Sequence, residues 1–170
     1  MAYLLDTNIF IDAKNRYYDM HVCPAFWEWL VLANGAGKVF SIGRVRDELT
    51  DDSEDELAWW AGDLDEDFFL PAEEDDLTAL GRIATWINDH GRYSEAAKAT
   101  FLASADYYLI AQASAGDYTV VTHEVPADSV HRVKIPNVCV AQYVKYINPW
   151  TMLRREHARF VLASMLENRP

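Results

Sequence analysis

Tyr3-Leu4-Leu5-Asp6-Thr7-Asn8-Ile9-Phe10 is the stretch that decides how this chain is read. An apolar run passes without alternation into a carboxylate, a hydroxyl and an amide. Such a run is what a strand buried on both faces requires. It is far shorter than the ~18–20 apolar residues that cross a bilayer. Asp6 is therefore delivered at the carboxyl end of a buried strand. In open parallel α/β sheets, ligands bind at that end. A carboxylate placed there either caps the following helix or belongs to a charged site, and the remaining chain must decide which.

Residues 8–14 suit a helical turn or two, and Lys14, Arg16, Tyr17 and Tyr18 then bring basic and aromatic groups together. Pro24 suits the first turn of a helix with apolar positions Phe26, Trp27, Leu30 and Val31, which Gly35 and Gly37 stop. Residues 38–42 read as a strand, and residues 44–49 return to helix after Gly43. Ser53 with Glu56 forms a capping-box pattern ahead of a helix through Trp59 and Trp60. Residues 67–71 suit an edge strand ending at Pro71. Residues 73–90 predict a helix with four acids in its first turn and a stripe of Leu77, Leu80, Ile83, Ala84 and Ile87. Helices follow over 94–103 and from 104 or 105 to Gly116. Residues 118–122 form a clear β run, 130–135 a last short strand, 138–147 a short helix and 150–166 a final helix. This alternation predicts an α/β fold: a three-layer α/β/α sandwich around a central, mostly parallel sheet of four to five strands. No repeat or linker divides it, so residues 1–170 are expected to form one domain.

Apolar residues at 51 % and aromatics at 13 % indicate a packed globule. Asp6 interrupts the only N-terminal apolar run, so neither a signal peptide nor a membrane span is expected, and the cytoplasm is the default location. Cys23 and Cys139 are isolated and lack zinc spacing, which suits two reduced thiols. The formal charge of −12 counts against nucleic acid as a partner. Its distribution changes that reading. Residues 47–76 hold 15 Asp or Glu and no Lys or Arg, leaving 15 basic residues against 12 acidic ones elsewhere. The acidic segment is either a solvated face or a dock for a basic partner.

Three more carboxylates occupy contexts like that of Asp6. Glu48 lies on the helix after the second strand, with Val45 and Leu49 beside it suggesting a buried-facing stripe. Asp106 falls in the first turn of an Ala-rich helix. Glu124 follows the 118–122 strand by two residues. In a parallel sheet these positions converge on one edge. Clustered carboxylates repel one another unless neutralised, and hard oxygen ligands without a His or Cys cage suit Mg²⁺ or Mn²⁺. A cation held in this way is suited to phosphodiester hydrolysis.

Asp6-Thr7-Asn8, Glu48-Leu49, Ala105-Asp106 and Thr122-His123-Glu124 resemble, in order and spacing, the four signature blocks of the PIN domain. Residues 13–18 and the tryptophan-rich helix after them resemble a bacterial, VapC-like subgroup, often the toxin half of a toxin–antitoxin pair. The resemblance implies a metal-dependent endoribonuclease with Asp6, Glu48, Asp106 and Glu124 as acidic ligands of Mg²⁺ or Mn²⁺. Asn8 and Thr122 would position ligands or water. It also implies an RNA substrate, a protein antitoxin and, in many relatives, a homodimer. The fourth block departs from the commonest form, which carries aspartate where Glu124 stands.

The other candidates are less specific. Lys14, Arg16, Tyr17, Arg44 and Arg46 either contact RNA or form an ordinary surface. His123 reads as a loop residue, Asp12 as a solvated acid, and Arg154, Arg155 and Arg159 as a basic helix face. The six tryptophans read as core or interface anchors. One competing reading is a haloacid-dehalogenase-like phosphatase with Asp6 as nucleophile, although Asn8 stands where those enzymes carry a second aspartate. Another is a non-catalytic PIN-like interaction module. A dinucleotide site is a poor reading, because no G-x-G-x-x-G follows the first strand.

Overall fold

In the computed structural model, which describes residues 1–51 and 55–161, five strands form one wholly parallel sheet in the order β3-β2-β1-β4-β5. The strands are β1 (Tyr3–Leu5), β2 (Val39–Ile42), β3 (Phe69–Leu70), β4 (Thr119–Val121) and β5 (Tyr146–Ile147). The opening apolar run is the central strand, with Tyr3 opposite Val39 on one side and Thr119 on the other. All three β1 side chains are buried, which explains the missing alternation. The short edge strand before Pro71 is β3.

The helices α1 (Thr7–Asp12), α2 (Pro24–Gly35), α3 (Gly43–Thr50), α4 (Glu56–Asp63), α5 (Asp76–Asp89), α6 (Glu95–Ala103), α7 (Ala105–Ala115), α8 (Ile135–Ala141) and α9 (Pro149–Arg155) cover the sheet. A π-helical turn, Ala13–Tyr17, extends α1. Pro24 opens α2 as its fixed φ favours. Ser94 Oγ accepts from Ala97 N (3.2 Å) to cap α6. Phe10 anchors an aromatic core with Trp60 and Phe68, at centroid distances of 5.8 and 6.2 Å. Of the tryptophans, Trp27 is buried, whereas Trp59 and Trp150 are exposed. Among the described residues no helix is long and apolar enough to cross a membrane.

Several local expectations need correcting. Asp55 caps α4, its carboxylate accepting from Leu57 N and Ala58 N (3.1 and 3.0 Å); Ser53 lies outside the described residues. Helix α5 begins at Asp76 rather than Glu73, because the buried Asp76 carboxylate turns inward to accept from Glu73 N (2.8 Å) and Gln112 Nε2 (3.0 Å). Its buried positions are accordingly Ala79, Ile83 and Ile87, and Leu77 faces solvent. Residues 130–134 form no strand. Pro136 instead sits in the first turn of α8, where a proline costs no backbone bond. That helix ends by residue 142, Tyr143 takes a left-handed φ of 58°, and the chain re-enters the sheet as β5 where helix was expected. The final helix stops at Arg155, with His157 left-handed at φ 55°; Met165 and Leu166 lie outside the described residues.

The strand order reverses at β1, whose chain neighbour β2 lies on one side while β4 lies on the other. The crevice at the carboxyl ends of β1 and β4 is the switch point where ligands bind in open α/β sheets. Because β1 is packed from both faces, Leu4→Ala is expected to cost about 3 kcal/mol and to lower Tm by roughly 6–12 °C in thermal denaturation.

Candidate active site

Asp6 stands at this switch point and is completely buried. Its backbone N–H donates to Val121 O (3.1 Å), holding it to the end of β4. One carboxylate oxygen accepts from Asn8 N (3.4 Å), which makes Asp6 the cap of α1. The other accepts from the Thr122 hydroxyl (2.9 Å). Asp6 is thus both a cap and a member of a charged site. Burial raises its pKa to about 6; the Thr122 and Asn8 hydrogen bonds oppose the rise, and the charges of Glu124 and Glu48 add to it.

Asp106, half-buried in the first turn of α7, is pushed up further, to about 7. Burial is the largest cause, followed by the charges of Asp6, Glu124 and Glu48, while Arg132 opposes them. A helix N-terminus favours a carboxylate anion, but here desolvation and like charge prevail. The same neighbourhood holds the buried Cys139, whose thiol burial and the Asp106 charge push up to about 12. That is an inert thiol.

Glu48 and Glu124 use their oxygens differently. Glu48 is an exposed residue rather than part of a buried stripe; only its neighbours Val45 and Leu49 are buried. Its carboxylate nevertheless bridges two elements, accepting from Thr7 Oγ1 (2.6 Å) and from Ala105 N (3.1 Å). It therefore ties the start of α1 to the start of α7. Glu124 takes Arg132 Nη2 (2.9 Å) and Lys134 Nζ (2.7 Å) on one oxygen and Ile135 N (2.8 Å) on the other. Thr122 joins the two halves, donating to Asp6 and accepting from Glu124 N (3.0 Å). The four acids thus share one electrostatic neighbourhood. Among the described residues, however, no three His, Cys, Asp or Glu side chains are grouped so as to hold an ion between them. The donors that suit a hard divalent cation are the carboxylates of Asp6 and Asp106, whose mutual repulsion it would relieve. Asn8 contributes its backbone N–H, and its side chain is exposed.

The basic and aromatic candidates separate. Lys14 is ion-paired with Asp55, and the exposed Arg16 lies 3.5 Å from Asp12. Arg44, on the first turn of α3, stacks over the Tyr108 ring at 4.5 Å, two residues beyond Asp106. Arg46 turns toward α4, donating to Gly62 O (3.2 Å) and lying over Phe69 at 5.8 Å. Tyr17 meets the rings of His123 and Trp150, both at 5.4 Å. His123, the residue after Thr122, also meets Trp150 at 5.1 Å, and burial keeps its pKa low. The sequence reading did not assign Trp150, Arg132 or Lys134 to this site. The only sequence signal for the basic pair is its alternation within residues 130–135, which resembles a strand.

Solved structures that resemble this chain include two protein–DNA complexes. One is VapBC2 from Rickettsia felis bound to a DNA fragment from their promoter: TM-score 0.55, 17 % identity, covering 87 % of this chain and 98 % of that one. The other is FitAB bound to an IR36 DNA fragment: TM-score 0.53, 21 % identity, covering 87 % and 95 %. At these identities the likeness establishes the fold, and this is a PIN-like α/β/α sandwich. By sequence the chain belongs to the family described as a domain of unknown function, DUF4411, which matches residues 3–160. No curated protein matches it.

The raised pKa values set a direction for stability. The folded state retains protons on Asp6 and Asp106 that the unfolded chain releases near pH 4, so their contribution is full below that pH. It is lost as pH rises through about 6 and 7. Thermal melts should therefore show Tm falling between pH 5 and pH 8. Asp106→Asn should flatten that fall, raising Tm at pH 8 by roughly 4–8 °C.

Proposed function

We propose that this chain is a Mg²⁺- or Mn²⁺-dependent endoribonuclease and the toxin component of a toxin–antitoxin pair. The observation that carries the reading is the pair Asp6 and Asp106 at the sheet's switch point, held protonated well above the ordinary carboxylate range by burial and mutual repulsion. Such perturbed pairs in clefts mark functional sites. Asp6 and Asp106 would hold the cation. When bound, it would supply Lewis-acid stabilisation of the charge that develops on a phosphodiester.

The chain's own residues set the frame for that chemistry. Thr122 orients the Asp6 carboxylate. Glu48 braces the helix that carries Asp106 against the one that Asp6 caps. The exposed Asn8 amide, two residues after Asp6, would meet substrate at the rim. Tyr17, His123 and Trp150 offer ring faces for unpaired bases, which RNA presents in single-stranded regions. Arg44 remains a candidate phosphate contact, while Lys14 is engaged with Asp55. A phosphatase with Asp6 as nucleophile is disfavoured, because Asn8 stands where those enzymes carry a second aspartate. The antitoxin partner is carried over by analogy with the VapBC2 and FitAB assemblies.

Incubation of single-stranded RNA with the purified protein tests the reading. Cleavage is expected with Mn²⁺ or Mg²⁺ and its loss with EDTA. Asp6→Asn and Asp106→Asn should each slow cleavage by about 100-fold or more while remaining folded. Wild-type rates in both variants would overturn the proposed site.

A further inference from the structure

A ribonuclease built around buried acids must still draw a polyanion into a negative cleft. Residues 122–134, a connection without helix or strand, supply a way to do so. Connections of this length without regular structure are uncommon in compact domains and are usually functional. This one is pinned at several points. Glu124 binds Arg132, Lys134 and the Ile135 N–H. Ser129 Oγ accepts from the backbone N–H of His131 (3.2 Å) and Arg132 (3.1 Å). Ala127 and Asn137 exchange two hydrogen bonds, both of 3.1 Å. Asp128 is ion-paired with Arg92.

The charge arrangement at its centre is unbalanced. One Glu124 oxygen receives two cations, so the trio carries a net positive charge beside the acids. The Glu124 side chain is only 8 % exposed and that of Lys134 only 20 %, so both are committed to the clamp. The Arg132 side chain is 62 % exposed and meets Glu124 through Nη2. A guanidinium has five N–H donors in a planar fork suited to phosphate oxygens. The clamp is joined to the acid pair through Thr122, which bonds both Glu124 N and Asp6. Consistent with this placement, the Arg132 charge opposes the rise of Asp106.

We propose that Arg132 receives a phosphodiester group of the RNA beside Asp6 and Asp106, and that Glu124 and Lys134 are the residues that position it. The inference rests on the ribonuclease reading and adds to it the residue that binds the substrate anion. Arg132 offsets the acids' repulsion of RNA without neutralising them. Glu124 reaches the site through the cations it holds.

The test measures binding apart from cleavage. Anisotropy of a short fluorescein-labelled single-stranded RNA is followed in EDTA over a range of salt concentrations, with Mn²⁺-supported cleavage measured in parallel. Arg132→Ala is expected to weaken binding about five- to tenfold at low salt and to lower the slope of log K against log salt by about 0.7, one phosphate contact's worth. Arg132→Lys keeps the charge and should retain the slope with intermediate affinity. Glu124→Gln should lose affinity alone but little more when added to Arg132→Ala, because its effect passes through Arg132. A wild-type protein that cleaves RNA, with Arg132→Ala unchanged in affinity, slope and rate, overturns this inference and leaves the ribonuclease reading standing. A wild-type protein that neither binds nor cleaves RNA overturns both. Additive losses in the Glu124→Gln/Arg132→Ala double variant overturn the positioning role of Glu124.

Discussion

The hydrogen bond from the Thr122 hydroxyl to the Asp6 carboxylate closes the switch point of the sheet. It joins the residue after β1 to the residue after β4, where both side chains are buried. A carboxylate in that position is costly to ionise, because desolvation outweighs the two hydrogen bonds it accepts. Moving it would also uncap α1 and break the backbone bond to Val121. The geometry of the edge therefore forces an unfavourable charge into the switch point of the sheet.

The other acids relate to that charge in two ways. Asp106 shares its difficulty and, being nearer to solvent, is the more accessible of the pair. Glu48 and Glu124 are satisfied acids: each accepts from a backbone N–H that opens a helix and from side chains beyond it. A bonded carboxylate braces an element at little cost, whereas a desolvated and repelled one is costly to ionise. Four similar residues thus separate into two whose ionisation the site opposes and two that brace its frame while adding their charge to the field.

The long acidic segment proved more varied than its composition suggested. Asp55 caps α4 and pairs with Lys14, while Asp76 is buried on Gln112. Such roles dispose of individual charges inside the fold. They leave the functional meaning of −12 to the local balance at the site, where Arg132 and Lys134 count for more than the total.

The sequence by itself determined the central strand, the edge to which it delivers Asp6, and the helix starts that bring Glu48 and Asp106 there. Apolar runs, caps and glycine stops are local and survive in any packing. It did not determine the last third of the sheet. Residues 130–147 carry a strand-like pattern where the chain is irregular and a helix-like one where β5 forms, because a two-residue strand is chosen by its partner β4 and not by its own periodicity. Tertiary structure alone decided which carboxylates are desolvated and repelled and which are bonded. Burial, and the donors reaching Glu48 and Glu124 from residues 8 to 57 positions away, come only from folding. The same packing brought Arg132 to Glu124, and the rings of Tyr17 and Trp150 to His123, beside the Thr122 that holds Asp6.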